Sequence, residues 1–286
     1  MISQPSTSQA SAKESLDLET LRVRRQGAVL CVEINAPPIN LLGPELVRDL
    51  VSAIQTAEAD ESIQVIVFRS GDPDYFIAHV DVTRIAEYRE AAAKLAGEAS
   101  LGLMFRYLST SRLVTIAQIE GRVRAAGSEF VLACDMSFAA SETAIFAQAE
   151  AGFGLLPGAG GMQHLARRMG RGRALELILS AQDYSAELAE RYGWINRALP
   201  AAELDDFVAT LAQRIASFPG AARRRIKKRI NAITLASVEN FRQDSDLFIE
   251  VGRDPEAKKR AQLALEKGFQ TRDFEMDLAS QLVDLG

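Results

Sequence analysis

The sequence predicts an α/β fold on three observations: apolar runs of strand length, helical stretches whose apolar residues recur every three or four positions, and the alternation of the two along the chain. With 286 residues, 48% of them hydrophobic, the chain can bury a substantial core. Residues 1 to 18, rich in Ser, Gln and Thr, hold little to bury and are expected to form a disordered arm. Residues 19 to 218 are expected to form the core, and residues 219 to 286 a C-terminal helical region.

In chain order, LRVRRQGAVLCVEIN alternates on either side of a Gln-Gly turn and predicts a hairpin, closed by Pro37 and Pro38. Gly43-Pro44-Glu45 opens a helix with Leu46, Leu50 and Ile54 at helical spacing, Pro44 taking a tolerated first-turn position. SIQVIVFRSG is β-branched and too short for a helix, so it predicts a buried strand. One helical stretch is expected over residues 82 to 108, then a strand in LVTIAQIEG ending at Gly121, and two more in DMSFAAS and TAIFAQ. From about residue 160 the pattern is helical: RALELILS, SAELAERYG, AAELDDFVATLAQRIASF and PGAARRRIKKRINAI follow one another with caps or glycine breaks.

Several function classes are set aside by composition. No apolar stretch approaches the roughly 18 residues of a membrane span, and the first residues lack an export pattern, so a cytoplasmic protein without membrane contact is expected. Cys31 in AVLCVEI and Cys134 in FVLACD read as small buried hydrophobes. The two histidines, His79 and His164, cannot supply a metal cage without carboxylates, and no metal is expected. A net charge of −5 gives no reason to expect nucleic acid. The basic run RRRIKKRI at 223 to 230 lies opposite Ala222, Ile226, Ile230 and Ile233, the pattern of a solvated amphipathic helix; a phosphorylated cofactor or RNA is the alternative.

Three stretches could carry chemistry. In IEGRVRAAGSEF a strand gives way to small residues and then a helix, leaving the N–H groups of residues 126 and 127 uncovered at a helix N-terminus. An oxygen becoming anionic could approach such donors to about 3 Å. Glu129 falls in the first turn, where a carboxylate is favourable for dipole reasons alone. A second small-residue turn lies in YFIAHVD, where Asp81 could cap the following helix. In FAQAEAGFGLLPGAGG, Glu150 sits in a loop-like setting with no visible cap or ion-pair role. PGAGG lacks the following Lys-Ser or Lys-Thr of a nucleotide loop, and Gly160 and Gly161 are expected to start the next helix. A Ser128 and His164 hydrolase pair is disfavoured because the G-x-S-x-G elbow is missing. Glu129 and Glu150 make a carboxylate pair suited to proton transfer, although a glycosidase would want such a pair too.

Taken in this order, APPINLL, YFIAHVD, IEGRVRAAGSEFVLACDMSFAA, FAQAEAGFGLLPGAGGMQHLARRMGRGRALELILS and SAELAERYGWINRALP resemble the crotonase superfamily, the enoyl-CoA hydratase and isomerase family, over about two thirds of the chain. The resemblance implies a ββα spiral core with a C-terminal helical trimerisation region, in a homotrimer or a hexamer of paired trimers. It implies an acyl-CoA thioester as partner, CoA entering as part of the substrate with no separate cofactor. It places the oxyanion-hole amides on Val80 and Ala126, the catalytic carboxylates on Glu129 and Glu150, and substrate contacts at Ala78, His79, Asp81, Ala125 and Pro157. The implied reaction is addition of water to a 2-enoyl-CoA. The alternatives are double-bond isomerisation, C–C cleavage, or a non-catalytic acyl-CoA or RNA-binding member. Six positions depart from the family pattern: His79 stands where glycine is usual, Ala125 and Ala126 replace glycines, Arg124 takes an apolar position, Glu120 a common Asn, and Ala149 a proline.

Overall fold

A computed structural model of the chain describes residues 18–285, so all of the expected N-terminal arm except Leu18 lies outside the described residues. The first hairpin forms as its alternation predicts: β1 (Leu21–Gln26) pairs antiparallel with β2 (Val29–Ile34) around Gly27, whose φ of 60° suits glycine. Helix α1 (Pro44–Ala59) follows, with Pro44 in its first turn and Leu46, Leu50 and Ile54 buried. Next come β3 (Val65–Ser70) and the short β4 (Tyr75–Ile77).

The helical stretch expected over about 82 to 108 consists of two helices, α2 (Ile85–Ala96) and α3 (Leu101–Thr110). Gly97 ends the first with a φ of 81°, and the Ser100 hydroxyl caps the second by accepting from the Leu103 N–H. Then follow β5 (Val114–Ile119), β6 (Arg122–Arg124), α4 (Ala126–Ala133), β7 (Met136–Ala140) and β8 (Ile145–Ala147). Glu150 is not in a loop: it opens a 3₁₀ turn, Glu150–Phe153.

The remaining chain holds α5 (Gly161–Met169), α6 (Arg171–Ser180), β9 (Tyr184–Ser185), α7 (Ala186–Tyr192), β10 (Arg197–Leu199) and α8 (Ala201–Ser217). Helices α9 (Gly220–Thr234), α10 (Val238–Val251), α11 (Pro255–Glu266), α12 (Arg272–Met276) and α13 (Leu278–Val283) complete it. Among the described residues no helix is long and apolar enough to cross a membrane.

The strands form two sheets, β1-β2-β3-β5-β7-β10 and β4-β6-β8-β9. In the large sheet the strands after the hairpin pair in parallel. Both faces are covered: Val65 and Val67 face α8 residues Leu204 and Val208, whereas Ile66 and Phe68 face the main core. Burial on both sides explains why this strand is apolar without alternation.

The small sheet sets out the site. The β3–β4, β5–β6 and β7–β8 segments each pass from the large sheet to the small one, and β4, β6 and β8 lie side by side in parallel. Parallel neighbours deliver their following turns to the same edge, so residues 78 to 80, 125 to 129 and 150 converge although the first and last lie about 70 positions apart.

The basic helix departs from expectation. No α9 residue is buried, and Ile226, Ile230 and Ile233 are 60%, 53% and 73% exposed. Some of its polar side chains turn inward: Lys227 donates to the Leu113 carbonyl and to Asp135, each at 2.7 Å, and Asn231 donates to the Ser109 carbonyl at 2.8 Å. The solvated surface thus carries the isoleucines beside Arg224, Arg225, Lys228 and Arg229, which stay exposed.

Candidate active site

The two small-residue turns meet because nothing but hydrogen separates them. Gly127, in the first turn of α4, packs so tightly on β4 that a Cβ there would collide with the Ile77 carbonyl oxygen. Opposite, the chain at Leu42 bridges the Val80 turn, Leu42 N–H donating to the His79 carbonyl at 2.8 Å and Asp81 N–H to the Leu42 carbonyl at 3.2 Å. Asn40 secures this strap, its side-chain amide donating to the Tyr75 and Phe76 carbonyls at 3.1 Å each.

Val80 and Ala126 both line one cavity of about 330 Å³, and among the described residues neither N–H donates to a protein acceptor. Ala125, just before the second amide, holds a φ of 45° and ψ of −123°. Alanine adopts that conformation at a cost of about 1–3 kcal/mol, which is why glycine is usual there. The strain turns the Ala126 N–H away from the chain before it and leaves it at the N-terminus of α4, where negative charge is favoured.

Glu129 and Glu150 line the same cavity and are 2% and 7% exposed. The Glu129 Oε1 accepts from Ala159 N–H at 2.7 Å and Gly161 N–H at 2.8 Å. The PGAGG run therefore does cradle an anion, the protein's own carboxylate. Side chains are excluded from that loop, since Cβ atoms on Gly158 and Gly160 would collide with Phe248 and Phe241. Burial raises the Glu129 carboxyl to about 7 against these two lowering hydrogen bonds, and Asp244 adds to the rise. Glu150 has far less support: Gln148 Nε2 lies 3.4 Å from Oε1, and Oε2 is buried without a hydrogen-bond partner. Burial, reinforced by the Glu129 charge, pushes its carboxyl well above the ordinary range. The two environments differ in kind, one built to hold an anion and the other a neutral acid.

Of the other expected contact residues, His79 and Ala125 line the cavity, whereas Ala78, Asp81 and Pro157 do not. Ala78 packs with Ile39 and Tyr75. Asp81 does not cap α2, which has no side-chain cap; its Oδ1 accepts from Thr83 N–H and Oγ at 2.9 and 2.6 Å. Ser128 and His164 form no dyad: Ser128 accepts from the Trp194 indole at 3.0 Å, and His164 sits edge-on to Phe241. Helices α10 and α11 and the turn between them contribute Ser245, Phe248, Arg253 and Lys258 to the cavity wall, and Phe269 comes from beyond them. No local motif marked these residues, because only long-range packing brings them there.

Two unengaged amides and two buried, unequal carboxylates thus line one cavity of a fold built on two sheets of largely parallel strands. Comparison with known proteins gives the family. The enoyl-CoA hydratase/isomerase family model matches residues 24–273, and the chain belongs to that family. It is 32% identical over 235 residues to a Rhizobium meliloti protein assigned as an enoyl-CoA hydratase, spanning 82% of this chain and 90% of that protein. It is 27% identical to the short-chain-enoyl-CoA hydratase of Clostridium acetobutylicum over 90% of this chain and all of that one. A Streptomyces avermitilis crystal structure described as an enoyl-CoA hydratase superposes with a TM-score of 0.91 at 48% identity, covering 94% of this chain and 98% of that chain. The fold is therefore the crotonase fold, and the chain is an enzyme of the hydratase/isomerase family.

Proposed function

We propose that the protein adds water across the double bond of a 2-enoyl-CoA. The observation that carries this reading is the pairing of two buried carboxylates with opposite environments in the cavity that also holds the Val80 and Ala126 amides. The thioester oxygen accepts from both amides. Negative charge gathers on that oxygen as water attacks the β-carbon, and each donor of such a pair is worth about 3 kcal/mol to the rate-limiting barrier. Glu129, its Oε1 held by Ala159 and Gly161, is the carboxylate that takes a proton from the attacking water. Glu150, kept protonated by its surroundings, supplies the proton to the α-carbon as the enolate collapses. The product is the 3-hydroxyacyl-CoA. CoA is part of the substrate, and no further cofactor is invoked.

The three outward isoleucines of α9 support self-association through this face, a homotrimer being the assembly the family resemblance implies. Loss of the conjugated enoyl-thioester absorbance on mixing with a short 2-enoyl-CoA tests the reaction. Hydration appears as loss that stops in Glu129→Gln and in Glu150→Gln. Migration of a 3-enoyl double bond that persists in Glu129→Gln, without hydration in the unmodified protein, would overturn it in favour of isomerisation.

A further inference from the structure

The segment after α11 returns to the turn that bears the Val80 amide and holds it at three points. Phe269 stacks on the His79 ring, with centroids 4.5 Å apart and planes 12° from parallel. The Gln270 side chain accepts from Val82 N–H at 2.8 Å and faces Asp81 Oδ1 at 3.2 Å. Glu275, fully buried in α12, meets His79 Nε2 through Oε1 at 2.8 Å.

The other ring nitrogen, Nδ1, lies 2.7 Å from the Val80 carbonyl oxygen. A carbonyl can only accept, so Nδ1 carries a hydrogen. Burial pushes the Glu275 carboxyl up, but His79 and Arg124 outweigh it and hold the group below the ordinary carboxylate range. The ring is thus engaged at both nitrogens, by Glu275 at Nε2 and by the Val80 carbonyl at Nδ1. The same residue reaches the second turn: Arg124, two positions before Ala126, donates to the Glu275 carbonyl at 2.5 Å and forks onto Asp183 at 2.9 and 2.6 Å. Two of the side chains that depart from the family pattern, His79 and Arg124, thus share one buried partner.

We propose that His79 is a positioning residue for the oxyanion-binding turn, held in place by Glu275, and that α12 is thereby part of the apparatus that aims the Val80 N–H. The peptide bearing that N–H is fixed at its own carbonyl and at the next one. Leu42 N–H holds the His79 carbonyl, which belongs to the same peptide, and the His79 ring holds the Val80 carbonyl that follows. Glycine at position 79 could supply only the first of these restraints. This inference rests on the reading of Val80 as an oxyanion donor.

Its test uses 4-dimethylaminocinnamoyl-CoA, a thioester whose absorbance moves to the red when its carbonyl is polarised. The full-length protein should bind the probe with a red shift. In His79→Gln and in Glu275→Gln the probe should bind within about threefold of the original Kd, yet the red shift should fall by half or more. The kcat for hydration should drop about tenfold or more while KM changes less than threefold. A folded His79→Gln or Glu275→Gln protein with the original shift and kcat overturns the proposal, and either variant suffices if the other fails to fold. A wild-type protein that binds the probe without a red shift overturns instead the oxyanion reading beneath it. A wild-type shift left intact by the variants removes only the role of His79.

Discussion

At the scale of single residues, the two glutamates differ in how they are held, and the proposed division of work follows from that. Glu129 Oε1 is met by two backbone N–H groups, whereas Glu150 Oε2 is buried without a partner, and both residues are out of water. Replacing either by Gln keeps the shape and removes the proton transfer, so kcat should fall at least about a hundredfold in each variant. The pH profile follows from the same contrast. Glu129 must be ionised to act as a base, so kcat/KM should rise with pH through about 7. Glu150 must be protonated to act as an acid, so the rate should fall again at higher pH as its raised carboxyl ionises. The expected curve is a bell belonging to the pair, and a rate already maximal at pH 5 would contradict the assignment. Ala125 makes a separate prediction about stability. Its φ of 45° favours glycine, and Ala125→Gly should raise stability by about 1 kcal/mol, read as an upward shift in Tm. That Glu129 and Glu150 are candidate acids was legible from RAAGSEF and AEAGFG; the cause of their unequal environments was not, since the amides that hold Glu129 lie 30 and 32 positions away.

At the scale of elements, the site depends on how closely α4 approaches β4. Gly127→Ala places a methyl against the Ile77 carbonyl, which neither backbone can yield cheaply. That substitution should cost about 3 kcal/mol in a denaturant melt and separate the two amides, with kcat falling further than stability alone explains. The strands the sequence revealed were those with long β-branched or alternating runs, such as β2, β3 and β5. The short β4, β6, β9 and β10, two or three residues each, are too brief to show any period. They exist because neighbours complete their hydrogen bonding. Helix α9 was legible as amphipathic, but its orientation was not: a period gives two faces and does not say which one meets the body. Lys227 and Asn231 turned it, by answering the exposed ends of the Leu113 and Ser109 carbonyls.

At the scale of the whole molecule, exposed isoleucines on α9 and the remote origin of the cavity wall both express long-range assembly. If α9 forms the contact between copies, Ile226→Asp with Ile230→Asp should convert a species of three times the 31.2 kDa chain mass into monomer in sedimentation velocity. A monomeric unmodified protein would remove that reading. The C-terminal segment held no motif, yet it supplies Phe269, Gln270 and Glu275 to the Val80 turn, because a contact such as Glu275 with His79 spans 196 positions and leaves no local pattern. The account as a whole depends on two main-chain amides meeting one thioester oxygen. A crystal structure with a bound, unreactive 2-enoyl-CoA analogue tests it most directly. The account predicts the thioester oxygen about 3 Å from both the Val80 and Ala126 nitrogens, with Glu129 and Glu150 facing the β- and α-carbons. An oxygen beyond hydrogen-bonding reach of both amides, in a fully occupied complex, would contradict it.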